Sequence, residues 1–187
     1  SEDKSIVDFY ASFGYGKINS YLRDTKNHVG NNTPKELEKT KQIVSKLENI
    51  ISKSKLDKPT TVYKGVSQVT FKEYGLPEIG KTFTDHGFCS TTTDMKIATQ
   101  HSNSGNAGKL IKGGPSKGII MKYELPAGTN AVTIPGDEKE VLMQHGTQFK
   151  ITNIEKGKKY WTVNAEPINV KSNGGYLSEV TSFIKQN

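Results

Sequence analysis

Two carboxylates one residue apart, Glu138 and Glu140, stand in Ile134-Pro135-Gly136-Asp137-Glu138-Lys139-Glu140-Val141-Leu142-Met143, where a turn runs into an apolar strand. Side chains alternate along a strand, so residues two apart share a face and both glutamates can reach one bound molecule. Paired carboxylates of this kind suit chemistry that builds positive charge on a sugar carbon while a second group manages a proton. Alone, a Glu-x-Glu pair is more often a solvated strand edge. Its meaning depends on two other segments.

The first is Gly87-Phe88-Cys89-Ser90-Thr91-Thr92-Thr93, preceded by Gly80-Lys81-Thr82-Phe83-Thr84-Asp85-His86. Aromatic and β-branched residues bounded by glycines predict a short hairpin ending in hydroxyls. Such hydroxyls can hold a carboxylate in one rotamer, or cap the helix that Asp94-Met95-Lys96-Ile97-Ala98 begins; the two roles are compatible. The second is Thr60-Thr61-Val62-Tyr63-Lys64-Gly65-Val66-Ser67, a β-rich run that ends in a cation and a glycine. That ending suits a backbone approaching a ligand and a charge meeting phosphate.

In this order the segments resemble the mono-ADP-ribosyltransferases, the bacterial toxin and phage group whose motifs are an arginine, then Ser-Thr-Ser, then Glu-x-Glu. The resemblance runs from about residue 18 to the strand at Trp161. Ser90-Thr91-Thr92 stands where the family has Ser-Thr-Ser, and Glu138-Lys139-Glu140 where it has its glutamates. The family arginine is Lys64 here. A mobile point charge replaces a planar fork, which implies weaker phosphate contact and reduced activity.

What the resemblance implies is a glycosyltransferase that uses NAD as co-substrate and modifies an arginine side chain of a target protein, as a toxin, effector or phage enzyme, with NAD hydrolysis as a side activity. Glu140 would stabilise the oxocarbenium-like centre while Ser90 fixes its rotamer, and Glu138 would orient and deprotonate the guanidinium. Lys64 would contact the cofactor's phosphate or ribose side, Gly65 the nicotinamide amide through its backbone, and Thr91 and Thr92 would lie in the cofactor site. Arg23, in Ile18-Asn19-Ser20-Tyr21-Leu22-Arg23, resembles a first-helix position that reaches a phosphate, and Asn19 of the same motif joins the cofactor set. Lys117 is the nearest cation in the loop that covers phosphate and nicotinamide. Two alternatives stay open: a weakened NAD-binding member acting through protein interaction, and a basic nucleic-acid binder with accidental matches.

At 187 residues the chain is expected to form one domain, residues 1–187, with a core that needs no staples. No apolar run spans a bilayer and no apolar signal segment opens the chain, so a soluble domain with any export address outside it is expected, secreted, delivered into a target cell or made there. The net charge of +7 is spread over scattered lysines without interleaved aromatics, which favours a solvated basic surface over a nucleic-acid site. Arg23 is the one arginine among 26 basic residues. A lysine bias explains this, as does an arginine-modifying enzyme that carries few targets of its own. Cys89, the single cysteine, excludes an internal disulfide and is expected to be structural. His28, His86, His101 and His145 show no metal spacing, so no metal is predicted.

Three parts must position these residues. Ile18, Tyr21 and Leu22 form an apolar stripe in an opening helical region interrupted at Gly14 and Gly16. Thr33-Pro34-Lys35-Glu36 is a capping box, and Leu37, Ile43, Val44, Leu47, Ile50 and Ile51 follow at helical spacing to about Ser54. After a Gly/Ser/Asn-rich loop over 101–117, strands are predicted at 118–125, near 130–133, and at 141–143, 148–155 and 160–167, before a tail with helical spacing from Tyr176 to Ile184. Helices followed by strands predict an α+β sandwich of two small, mainly antiparallel sheets. The resemblance places NAD in the cleft between them.

Overall fold

The computed structural model describes residues 1–23, 32–66, 75–103 and 112–168. Helices α1 (Glu2–Phe9), α2 (Tyr15–Arg23) and α3 (Pro34–Lys53) precede strands β1 (Thr60–Val66), β2 (Thr82–Asp85) and β3 (Cys89–Thr92). Helix α4 (Met95–Asn103) leads to β4 (Gly118–Leu125), β5 (Ala131–Ile134), β6 (Glu140–Met143), β7 (Thr147–Lys156) and β8 (Tyr160–Pro167). None of the described helices is long and apolar enough to cross a membrane. The predicted tail from Tyr176 lies outside the described residues.

The capping box forms as predicted. Thr33 Oγ1 accepts from the Glu36 amide at 3.3 Å while Glu36 Oε2 accepts from the Thr33 amide at 2.9 Å, satisfying donors that a helix start leaves open. Thr40, Val44, Leu47 and Ile51 then bury one stripe of α3. At its far end the Asn130 amide donates to the carbonyls of Ser52 and Ser54, at 2.8 and 3.1 Å. The opening region departs from expectation. Gly14 does not break it: a π-helical turn, Tyr10–Gly14, carries α1 into α2 without a gap. The wider turn buries Tyr10, whose hydroxyl accepts from Asn19 Nδ2 at 2.8 Å.

The strands hydrogen-bond in the order β2-β7-β8-β4-β1-β3-β6-β5. The α+β class and the leading helices stand, but the two predicted sheets are one continuous order. The join is narrow, because β1 and β3 share the single register pair Tyr63↔Thr92, whereas β1 and β4 pair from Thr60↔Leu125 to Val66↔Ile119. One apolar core draws Val62, Met121, Phe149 and Val163 from one side of the join and Cys89, Val141 and Met143 from the other. A second core places Tyr10, Ile18, Leu47 and Ile51 of the helical layer against Phe88, Ile134 and Leu142. The predicted hairpin is corrected: β2 pairs with β7, and β3 with β6 and β1. Phe88 between them is fully buried among the helices and its amide donates to Asn19 Oδ1 at 2.9 Å, so the link crosses the fold instead of turning back.

Helix α4 lies directly on β1. A Cβ at Gly65 would stand 1.9 Å from the Ala98 carbonyl oxygen and 2.5 Å from the Ser102 nitrogen, and one at Gly118 2.9 Å from the Ser102 oxygen. Only glycine lets the helix backbone approach so closely. Urea unfolding should therefore separate two substitutions. Thr33→Ala, which removes a cap, is expected to lose about 1 kcal/mol. Gly65→Ala, which forces α4 off β1, should lose about 3 kcal/mol or more; equal stability for Gly65→Ala and the parent would contradict the close packing described here.

Candidate active site

Three consecutive hydroxyls on β3 fasten the carboxylate turn. Ser90 Oγ donates to Glu140 Oε1 at 2.5 Å, Thr91 Oγ1 to the Val141 carbonyl at 2.6 Å, and Thr92 Oγ1 to the Glu138 carbonyl at 2.7 Å. The β3–β6 ladder sets this up, with Thr92 opposite Glu140 and Ser90 opposite Leu142. Thr92 Oγ1 also accepts from the Asp94 amide at 3.0 Å, so one hydroxyl serves both the turn and the start of α4.

The two glutamates do not share one extended strand face, as alternation predicts. Glu140 opens β6, but Glu138 sits in the preceding turn, and Lys139 between them has φ of 45°. That left-handed residue breaks the extended geometry on which alternation rests. The carboxylates consequently take different partners: Glu140 the Ser90 hydroxyl, Glu138 the ring of His101, with Nε2 and Oε2 3.1 Å apart. Lys139 Nζ reaches Asp94 Oδ2 at 3.0 Å, so α4 holds the turn through residues near both its ends.

Their environments differ as well. Burial raises the Glu140 carboxyl above its ordinary pKa; the Ser90 hydrogen bond opposes this, the Glu138 charge adds to it, and His101 opposes it more weakly. Glu138 is two-thirds exposed, with a side-chain accessibility of 67%.

A second cluster gathers around Asp85 at the end of β2. Its Oδ2 accepts from Lys64 Nζ at 2.5 Å and its Oδ1 from Arg23 Nη2 and the Gly87 amide, both at 3.2 Å. Burial pushes the Asp85 carboxyl up, but the charges of Lys64 and Arg23 and their hydrogen bonds outweigh it and hold the group below the ordinary range. Burial likewise works against the Lys64 ammonium; the Asp85 carboxylate, through its charge and its hydrogen bond, offsets this and leaves Lys64 above its ordinary value. Cys89 itself is fully buried, and burial pushes its thiol up to about 12, so it stands as a neutral core group beside Ser90.

Among the predicted site residues, Ser90, Thr91, Thr92, Glu138 and Glu140 therefore converge, and Lys64 and Arg23 meet on Asp85. Cys89, 3.9 Å from Lys64 Nζ through its sulfur, adjoins Ser90 and links the two groups. Asn19 is buried and engaged at both ends, by Tyr10 and the Phe88 amide. Gly65 lies past the one pair that ladders β1 to β3, its Cα covered by α4. Lys117 enters β4, its amide donating to the Lys159 carbonyl at 2.8 Å. A groove of about 710 Å³ between α3 and the β6–β7 turn is lined by Glu48, Asn130, His145 and Pro167, and by none of the predicted site residues. Asp85 and His101 were given no role from the sequence. The signal for Asp85 is an acidic residue closing the Thr82-Phe83-Thr84 run two positions before Gly87; nothing local marks His101.

The sequence model of the ADP-ribosyltransferase exoenzyme family matches residues 1–171. An NAD(+)--arginine ADP-ribosyltransferase of Enterococcus faecalis is 27% identical over 159 residues, which are 82% of this chain and 29% of that protein, so the chain spans under a third of this relative. Among solved structures, the Vis ADP-ribosyltransferase of Vibrio splendidus in complex with agmatine superposes with a TM-score of 0.71 at 22% identity, over 91% of this chain and 75% of that one. The ADP-ribosylating toxin BECa of C. perfringens with NADH gives 0.66 at 24% identity, over 90% and 43%. These two likenesses establish the fold. With the family match spanning nearly the whole chain, the chain belongs to the ADP-ribosyltransferase exoenzyme family.

Proposed function

We propose that this chain transfers ADP-ribose from NAD to an arginine side chain of a target protein. The observation that carries the reading is the pair of carboxylates on one turn with unlike surroundings: Glu140, partly buried and locked by Ser90, and Glu138, exposed and held by His101. The relatives' names support the same chemistry, one being an arginine ADP-ribosyltransferase and another a structure with agmatine, itself a guanidine.

The residues suit the dinucleotide. A half-exposed guanidinium, Arg23 at 47% side-chain accessibility, provides positive charge for phosphates, with the Lys64 ammonium behind it on Asp85, while the Gly65 edge beyond the β1–β3 ladder leaves backbone for an amide. NAD supplies the bond to be broken, between nicotinamide and a ribose carbon on which positive charge builds during cleavage. Glu140 places a preorganised negative charge there, and Ser90 keeps it from turning away. Glu138 receives the proton that the guanidinium nitrogen sheds as it bonds to that carbon. Water in place of the guanidinium gives hydrolysis, which needs Glu140 more than Glu138. Similar proteins that are toxins, BECa and Vis, support delivery into a target cell, where an arginine-bearing protein is the acceptor.

Labelled NAD offered to a target-cell lysate, with mass spectrometry of the acceptor and agmatine as a minimal substitute, tests the assignment; modification confined to residues other than arginine would overturn it. Within that assay, Glu140→Gln should leave NAD binding nearly intact and slow both transfer and hydrolysis by about 3 kcal/mol of barrier. Its thermal midpoint at neutral pH should equal or exceed the parent's, because a carboxylate with a raised folded pKa costs stability when ionised. Glu138→Gln should lose arginine transfer and keep hydrolysis.

A pH profile gives a further check. Glu140 must be ionised to act, so hydrolysis should rise with pH along an acid limb above the ordinary carboxylate range. Removing the Glu138 charge takes away one cause of the rise, so in Glu138→Gln the limb should move to lower pH. A limb that stays in place, or moves up, would mean the two carboxylates do not interact as placed.

A further inference from the structure

The geometry points to Asp85 as a positioning residue for the cofactor site, one that divides its carboxylate between Lys64 and Arg23 so that Arg23 is the cation presented to phosphate. This rests on the reading that the site takes NAD.

Three observations carry it. The carboxylate is split: Oδ2 belongs to Lys64, and Oδ1 to Arg23 and the Gly87 amide. Accessibility rises outward through the cluster, with side-chain values of 12% for Asp85, 22% for Lys64 and 47% for Arg23. One carboxylate cancels one cation, and the low-dielectric interior favours cancelling the buried one, so the surplus charge resides on the exposed guanidinium. The third is the seat at Gly87, where a Cβ would stand 2.8 Å from Arg23 Nη2 and 2.9 Å from both Arg23 Cζ and Asn19 Oδ1. Arg23 therefore lies against bare backbone, with Asn19, one helical turn earlier on α2, fixing the same loop through the Phe88 amide.

This arrangement gives the lysine at position 64 a reason. An ammonium is a point charge that satisfies one oxygen; a guanidinium fork would take both oxygens of Asp85 and evict Arg23. Lys64 then serves as an inner counter-ion, and the chain's single arginine supplies the planar fork at the outer position.

Steady-state NAD hydrolysis by the parent, Arg23→Gln, Asp85→Asn, Lys64→Arg and the Arg23→Gln/Asp85→Asn double variant tests it. Arg23→Gln and Asp85→Asn should each raise KM for NAD about tenfold and leave kcat within about twofold, as expected for a lost charge-assisted contact that binds ground and transition states alike. Because Asp85 acts through Arg23, the double variant should be no worse than either single, whereas independent or merely structural roles would multiply. Lys64→Arg should also raise KM. Should Asp85→Asn fail to fold, Arg23→Gln and Lys64→Arg still decide, both being made at positions with solvent access. Multiplicative effects in the double variant, an unchanged KM in folded Asp85→Asn, or a lower KM in Lys64→Arg would overturn the inference while the NAD reading stands. A parent that neither binds nor hydrolyses NAD would overturn both.

Discussion

The register between β3 and β6 is the constraint on which the site depends. With Thr92 opposite Glu140, the hydroxyls of Ser90, Thr91 and Thr92 fall on the Glu140 carboxylate, the Val141 carbonyl and the Glu138 carbonyl in turn. A slip of one residue would turn every side chain of the short strand to the opposite face and undo all three bonds together. The register is held by burial on both faces of the same strands, where Cys89, Val141 and Met143 enter one core and Leu142, on the face of Ser90, enters the other. Packing therefore sets the register, and the register sets the carboxylates.

Two opposed electrostatic settings meet at β3, where Ser90 holds Glu140 and Cys89 adjoins the Lys64–Asp85 pair. Glu140 is pushed above the ordinary carboxylate range by burial, whereas Asp85, also buried, is held below it by two cations. Linkage gives them opposite signs. The stability that Asp85 contributes is present above its unfolded pKa and is lost as pH falls through its lower folded value; ionised Glu140 costs stability that protonation returns. One carboxylate is thus left poised by its surroundings while the other is satisfied by the two cations it holds.

The helical layer serves the site through few contacts. The π-helical turn buries Tyr10, whose ring meets Phe88 edge-on with centroids 5.7 Å apart and whose hydroxyl accepts from Asn19. Asn19 in turn accepts from the Phe88 amide, and its neighbour one turn on, Arg23, reaches Asp85. From the opposite side α4, pressed on β1 at Gly65, brings His101 to Glu138 and Asp94 to Lys139. The carboxylate turn is thus held between β3 and a helix whose close seat on β1 glycine alone permits.

Much of this was legible in the sequence because its signals are local. The capping box at Thr33, strands β4 and β8 and the order of lysine, hydroxyl and Glu-x-Glu segments are written in neighbouring residues, and each lies where periodicity and motif place it. What the sequence could not determine depends on partners distant along the chain. The separation of β2 from β3 follows from Phe88 being buried under helices that begin at residue 2, and the unlike surroundings of Glu138 and Glu140 from a left-handed Lys139 that alternation does not foresee. Asp85 acquires its place only when β2 brings it to Lys64, 21 positions away, and to Arg23, 62 positions away. Spacing and residue type define the chemical groups available; burial and long-range pairing decide which charge is cancelled, which is presented, and what each carboxylate faces.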